Sequence, residues 1–195
     1  KQKSVMKKLL SILTVFMFTV STFAQLNLKS DAAHSRIQFT VTHLGINDIT
    51  GNFDKADLTI KADEKNFVNS KLTFSADVNS INTHIEARDN HLKSADFFDA
   101  AKFPTMDFTS TSLTKTKKDQ YTLKGNLTMH GVTKPVTLTL IYKGSTVNAM
   151  NKKTIYGYQV LGTLNRSEFN VGPNFPAPMI SDLVNIKGDF ELTAE

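Results

Sequence analysis

Residues 121–142, YTLKGNLTMHGVTKPVTLTLIY, predict two neighbouring β-strands and so decide the fold class. Apolar or small residues occupy alternate positions through residues 121–129 and again through residues 136–142. A two-residue period of this kind is typical of half-buried strands. His130-Gly131 lies between the two runs and predicts a hairpin turn. The stretch therefore indicates antiparallel β-structure.

The same alternation recurs along the chain and predicts eight strands in total. The other six runs lie in residues 36–42, 53–62, 72–78, 106–108, 156–164 and 183–192. Strands that follow one another without crossover helices favour antiparallel pairing. Glycines inside three of the strands, Gly125, Gly162 and Gly188, suit the bends of a closing barrel. We predict an all-β, eight-stranded antiparallel barrel, with a packed β-sandwich as the alternative.

One segment breaks this rhythm, residues 83–104, THIEARDNHLKSADFFDAAKFP, between the third and fourth strands. We interpret it as a helical insert. Thr83 and Glu86 have the spacing of a capping box, in which each side chain satisfies a free backbone donor. The phenylalanines of the insert are too apolar to face water, so they should pack over the barrel interior. The insert is expected to cover the barrel mouth.

The first 24 residues predict a cleaved signal peptide. Met6 is the expected translational start, followed by two lysines and an apolar run over residues 9–23. The run is short and rich in hydroxyl groups for a membrane span, although an uncleaved anchor stays the alternative. Residues 25–195 are then expected to form a single domain in the periplasm or outside the cell.

Removing residues 1–24 lowers the formal net charge from +5 to +1, because this segment contains four lysines and no acid. We therefore expect no clustered basic face and no nucleic-acid partner. The chain has no cysteine, so no disulfide holds it together.

Short motifs spaced along the chain suggest a family. They are Asp31-x-x-His34-Ser35, Gly51-x-Phe53, Ile81-x-Thr83, Arg88-Asp89-x-His91-Leu92, Asp96-Phe97-Phe98-Asp99, Phe103-Pro104, Gly125-x-Leu127-Thr128-x-His130-Gly131-Val132-Thr133-Lys134-Pro135-Val136 and Asn165-Arg166-x-x-Phe169. In this order they resemble the YceI-like family of exported bacterial proteins. The resemblance implies a lipocalin-like barrel, closed at one end, that holds a polyisoprenoid or a fatty chain. Some members are dimers, so a homodimer stays open here.

An eight-stranded barrel is just wide enough to be filled by side chains or to hold one small ligand. We predict that the ligand contacts inward apolar residues of the strands and insert. These are Phe39, Val41, Phe53, Phe74, Val78, Leu92, Phe97, Phe98, Phe103, Phe108, Leu127, Met129, Leu138, Leu140, Tyr158 and Leu164. Arg88, Asp89 and Arg166 are predicted at the mouth, either near the ligand headgroup or as hydrogen-bonded links between the insert and the barrel loops.

Catalytic, metal and cofactor sites are not predicted. The five histidines form no HxH or HExxH motif, and the spacing of His84 and His91 alone is weak support for a metal site. Asp31, His34 and Ser35 lie too close in sequence to converge as a catalytic triad. The leading hypothesis is an exported carrier of a long-chain lipid. The alternatives are an enzyme acting on a lipid-like substrate in the same pocket, or a ligandless structural or stress protein.

Overall fold

A computed structural model of the protein describes residues 25–63 and 66–195. The predicted signal peptide, residues 1–24, lies outside the described residues. Nearly all the regular structure is β. In chain order the elements are β1 (Gln25–Ser30), β2 (Arg36–His43), β3 (Asn47–Phe53), β4 (Ala56–Asp63), β5 (Lys71–Asp77), β6 (Ile81–Asn82), α1 (Glu86–Lys93), β7 (Thr105–Lys117), β8 (Gln120–Met129), β9 (Val132–Val147), β10 (Thr154–Asn165) and β11 (Leu183–Ala194).

The eleven segments form eight barrel strands, because three long strands are each interrupted once. Residues 28–30 of β1 face residues 192–194 of β11, and residues 36–40 of β2 face residues 185–189 of the same strand. In the same way β3 and β4 form one strand, and so do β5 and β6. From β7 to β11 each strand pairs antiparallel with the next, and β11 returns to β1. The predicted closed, eight-stranded antiparallel barrel is confirmed.

The barrel core follows directly from the alternation in the sequence. On β4, Ala56, Leu58, Ile60 and Ala62 are buried, whereas the residues between them are exposed or half-buried. Each fully buried aliphatic side chain contributes roughly 1.5–3 kcal/mol of gross stabilisation. Alternation therefore fixes which face of each strand points inward, since a shift by one residue would expose the whole apolar set.

One end of the barrel is closed by an aromatic floor made of Phe67, Tyr121, Tyr142 and Tyr158. Phe67 follows β4 in a short 3₁₀ turn, and its ring lies parallel to that of Tyr158 with centroids 5.9 Å apart. The rings of Tyr121 and Tyr142 lie 5.1 Å from Phe67 and 5.3 Å from Tyr158, respectively. Burial raises the pKa of the Tyr158 phenol above its usual value.

The insert covers the other end, and its helix begins differently from the sequence prediction. The N-cap residue of α1 is Ile85, without a side-chain capping bond, so the predicted Thr83–Glu86 capping box is wrong. Instead the Thr83 amide and hydroxyl both donate to Asp89 Oδ1. The carboxylate of Asp89 reaches back over the first turn and accepts from the Thr83 amide, the donor that Glu86 was expected to satisfy. No helix in residues 25–63 and 66–195 is long and apolar enough to cross a membrane.

Charge is distributed unevenly over the barrel. The β7–β8 and β9–β10 hairpins, residues 115–120 and 142–154, carry six lysines and one acid at the closed end. All six lysines are exposed. The expectation that no clustered basic face remains is therefore wrong, because the net charge of +1 averages this end with more acidic parts of the chain.

Candidate ligand cavity and its mouth

A cavity of about 460 Å³ lies inside the barrel between the aromatic floor and the insert. This volume falls within the range of about 300–1,000 Å³ that is usual for small-molecule sites. Twelve of the sixteen predicted contact residues line it. They are Phe39, Val41, Phe53, Phe74, Leu92, Phe97, Phe98, Phe108, Leu127, Met129, Leu138 and Leu164. Their contact with a ligand stays a prediction.

The other four predicted contacts lie outside the cavity wall. Leu140 and Tyr158 are buried at the level of the aromatic floor, because each lies two residues beyond a cavity-lining residue toward the closed end. Val78 is buried in the 3₁₀ turn after β5, where its amide donates to Pro104 O. Phe103 packs against the β8–β9 hairpin, with its ring 4.9 Å from that of His130.

The mouth is marked by the three cavity-lining residues that are exposed to solvent, His43, His91 and Met179. They belong to the end of β2, to α1 and to the β10–β11 loop. Two of these segments are joined, since Leu44 N donates to Met179 O at 3.1 Å and residues 43 and 180 form an isolated β-bridge. The cavity therefore opens at the end opposite the aromatic floor.

Arg88 and Asp89 are neighbours on α1, and both bind Thr83. Arg88 Nε donates to Thr83 Oγ1 and Nη2 donates to Thr83 O, each at 2.7 Å. Thr83 N donates to Asp89 Oδ1 at 2.8 Å. Thr83 and Arg88 line the cavity, whereas Asp89 does not. Asp89 thus holds Thr83 within the insert itself, and none of these bonds links the insert to a barrel loop.

Arg88 also retains capacity for a ligand. Its guanidinium forms no ion pair and its Nη1 no hydrogen bond with any residue in 25–63 or 66–195. The Asp89 carboxylate is instead bonded to the Thr83 hydroxyl that accepts from Arg88. A half-buried guanidinium with unused donors at an apolar cavity can donate a hydrogen bond to an oxygen atom of a headgroup.

Arg166 differs, because backbone carbonyls use all of its N–H groups. Nε donates to Ser181 O, Nη1 to the carbonyls of Val171 and Gly172, and Nη2 to those of Phe175 and Ile180. A guanidinium has five N–H donors, so none is left for a headgroup. Burial lowers the pKa of Arg166, and the nearby Asp182 opposes this shift. The arrangement supports a structural role: Arg166 folds the β10–β11 loop around itself.

The loop that Arg166 holds forms one side of the mouth. Phe175 stacks on Phe97 with ring centroids 4.7 Å apart, and the His91 ring lies edge-on to both. His91 Nε2 is 2.9 Å from Asp96 Oδ2. Gly172 has φ +63°, and a Cβ atom there would lie 2.6 Å from the Phe97 ring. Any larger residue at this position would separate the loop from the insert.

The comparisons with known proteins agree with this architecture. The YceI-like domain family matches residues 28–192 of the sequence. The chain belongs to the YceI-like family. A UPF0312 protein of Staphylococcus aureus strain N315 is 36% identical over 171 residues, covering 87% of this chain and 96% of the relative.

Solved structures of similar fold include YceI-like proteins. The Campylobacter jejuni YCEI protein is 30% identical with a TM-score of 0.70, over 79% of this chain and 90% of that one. BcnA of Burkholderia cenocepacia is 23% identical with a TM-score of 0.75, over 85% and 99%. A polyisoprenoid-binding domain from Saccharophagus degradans is 14% identical with a TM-score of 0.65, over 88% and 100%. The last two likenesses concern the fold alone.

Sequence reasoning missed one wall of this YceI-like cavity, the β10–β11 loop. Val171, Phe175, Met179 and Ile180 of this loop line the cavity. The signal was present in the sequence, because residues 171–180, VGPNFPAPMI, contain no charged residue. A surface connection is normally polar. The inward residues of β11, including Phe190, also line the YceI-like cavity.

The residues considered for catalysis do not converge in the YceI-like barrel. His34 Nδ1 is 2.9 Å from Asp31 Oδ2, but Ser35 Oγ accepts from Glu191 N at 3.3 Å. His34 and Asp31 are exposed and lie away from the cavity. Among the residues that the structure describes, no group of three or more His, Asp or Glu side chains could hold a metal ion.

Proposed function

We propose that this protein is an exported lipid-binding protein that sequesters or transports a long-chain polyisoprenoid or fatty-chain ligand inside the barrel. The observation that carries the proposal is the cavity of about 460 Å³, walled almost entirely by apolar side chains and open at one end. The barrel fold of a polyisoprenoid-binding domain supports it. Export rests on the leader-like sequence of residues 1–24 and places the protein in the periplasm or outside the cell.

Apolar burial supplies enough free energy for such a ligand without a strong polar anchor. Each buried methylene group contributes roughly 0.8 kcal/mol before costs. A net value of about 0.3 kcal/mol per non-hydrogen atom sets an upper limit of about 12 kcal/mol for a forty-carbon chain that is buried along its whole length. This free energy corresponds to a dissociation constant of about 1 nM. The hydrocarbon chain of the ligand therefore determines affinity, and the polar residues at the mouth select the headgroup.

Arg88 is the residue we assign to the headgroup. Its guanidinium lines the mouth, is held in place by Thr83 and keeps unused donors. We expect it to donate to a headgroup oxygen, either a carbonyl or an anionic oxygen. Arg88→Ala should then change the preference among ligands that share a chain but differ in headgroup, with a smaller effect on chain-driven affinity.

Binding is better supported than catalysis. Thr83 Oγ1, the cavity-lining hydroxyl nearest Arg88, already donates to Asp89 and accepts from Arg88. His91 bonds to Asp96 rather than to a hydroxyl nucleophile. An enzyme acting on a lipid-like substrate would instead show turnover that is lost in Arg88→Ala or His91→Ala while ligand uptake is kept.

Organic extraction of the purified protein, followed by mass spectrometry, tests the proposal. We expect release of a long-chain lipid in near-stoichiometric amount, and uptake of an added long-chain lipid after delipidation. A variant with a filled cavity, Leu138→Trp, serves as the control and should release less. A protein that neither releases nor takes up any long-chain lipid would contradict the proposal.

A further inference from the structure

The closed end of the barrel carries a basic cluster, which we call the lysine end: Lys115, Lys117, Lys118, Lys143, Lys152 and Lys153. The first three belong to the β7–β8 hairpin and the others to the β9–β10 hairpin. The two hairpins touch, since Tyr142 N donates to the Asp119 carbonyl at 2.8 Å. This contact makes the two hairpins neighbours at the closed end.

None of the six lysines forms an ion pair within the described part of the chain, although Lys143 lies near enough to Asp189 to help lower the pKa of that carboxyl. The lysines that do form ion pairs are Lys29, Lys55, Lys102 and Lys187. The one acid within the two hairpins is Asp119. The lysine end thus has a strong local excess of positive charge, in a chain whose formal charge from residue 25 onward is +1.

The tip of the β9–β10 hairpin adds exposed apolar side chains to this charge. Met150 is 94% exposed and Val147 is 59% exposed. The turn that presents them is ordered, because Asn148 Oδ1 accepts from Met150 N at 2.9 Å and Lys152 N donates to Asn148 O at 2.9 Å. Apolar side chains that enter the headgroup region and lysines that attract anionic lipids both strengthen binding to a membrane surface.

We propose that the lysine end docks on the surface of an anionic phospholipid bilayer, with Met150 entering the headgroup region. Positive charge complements the anionic lipids, and each lysine near such a surface adds to the attraction. A nucleic acid would also attract the lysines, but it offers no hydrocarbon to the apolar tip. The surface lies opposite the cavity mouth, so docking leaves the mouth free, and the proposal does not depend on the ligand in the barrel.

Vesicle co-sedimentation tests this proposal with the purified protein. We expect binding at least about tenfold tighter to vesicles of phosphatidylcholine with one third phosphatidylglycerol than to phosphatidylcholine alone, and weaker binding as salt rises. Lys152→Gln/Lys153→Gln should weaken binding to the anionic vesicles by about tenfold, and Met150→Ser should weaken it further.

The matched control is Lys124→Gln/Lys134→Gln, which removes one exposed lysine from the barrel side and one from the mouth end. Neither lysine forms an ion pair with the residues that the structure describes. The control should bind as the unchanged protein does. Equal binding to both kinds of vesicle, or equal weakening by the two double variants, would overturn the proposal. So would tight binding of a DNA duplex that Met150→Ser leaves unchanged, together with weak vesicle binding. All variants change exposed side chains, and thermal unfolding checks that they remain folded.

Discussion

Arg166→Ala tests the structural role of the buried guanidinium. The substitution removes five hydrogen bonds to the carbonyls of the β10–β11 loop. At about 1.5 kcal/mol for each bond to a charged group, these five bonds amount to about 7.5 kcal/mol. Part of the loop is exposed, so hydrogen bonds to water replace about half of this stabilisation. We therefore expect the free energy of unfolding to fall by about 3–4 kcal/mol.

Denaturant unfolding measures this change in stability, and two further variants test whether the change comes from the hydrogen bonds of Arg166. Arg166→Lys keeps the charge but offers three donors, so at least two carbonyls lose their bond and the loss should be intermediate. Arg36→Ala removes an exposed arginine that has no ion pair or side-chain hydrogen bond among the described residues, and should change stability by less than about 0.5 kcal/mol. A stable Arg166→Ala variant that fails to take up lipid would refute the reasoning and indicate a headgroup role.

Three further predictions concern the cavity wall, the mouth and the exposed pair of Asp31 and His34. Leu138→Trp should leave the fold intact and displace about three methylene groups of the ligand. A lipid titration should then show binding weakened by about 2.4 kcal/mol, or about 50-fold. Unchanged affinity would contradict a cavity at this position. Thr83→Val leaves Arg88 Nε and a carboxylate oxygen of Asp89 without their hydroxyl partner, and thermal unfolding should show a loss of about 1–3 kcal/mol. The hydrogen bond between Asp31 and His34 raises the pKa of His34 above its usual 6.5 and lowers the pKa of Asp31. The stabilisation from this pair is therefore fully present below the pKa of an unfolded histidine and is lost as pH rises through the folded pKa of His34. It is also lost in acid, where Asp31 becomes protonated. An NMR titration should therefore place the His34 midpoint above 6.5 and return it toward 6.5 in Asp31→Asn; equal midpoints in the two proteins would contradict the pairing.

The sequence predicted the strands well, because alternation along β4, β8 or β11 directly reports which side chains face inward. It could not predict how deep each inward residue lies. Leu138 and Leu140 have the same orientation on β9, yet Leu138 lines the cavity and Leu140 lies at the floor. This difference depends on the position of Phe67, which comes from a turn elsewhere in the chain.

The hydrogen-bond partners of polar residues could not be predicted from the sequence either, because they depend on how the loops fold. The spacing of Thr83 and Glu86 matched a capping box, but the Thr83 amide donates to Asp89 instead of Glu86. Arg166 directly precedes the loop whose carbonyls it binds, and no short sequence motif predicts five such hydrogen bonds. Net charge likewise could not show that two hairpins bring six lysines to one end.

The most direct test of the central claim is calorimetric titration of the delipidated protein with alcohols of one type and increasing chain length. One ligand should bind per barrel, and affinity should rise by up to about fourfold for each added methylene group. The increase should stop when the cavity of about 460 Å³ is full. No saturable binding, or affinity that does not depend on chain length, would contradict a lipid-binding barrel.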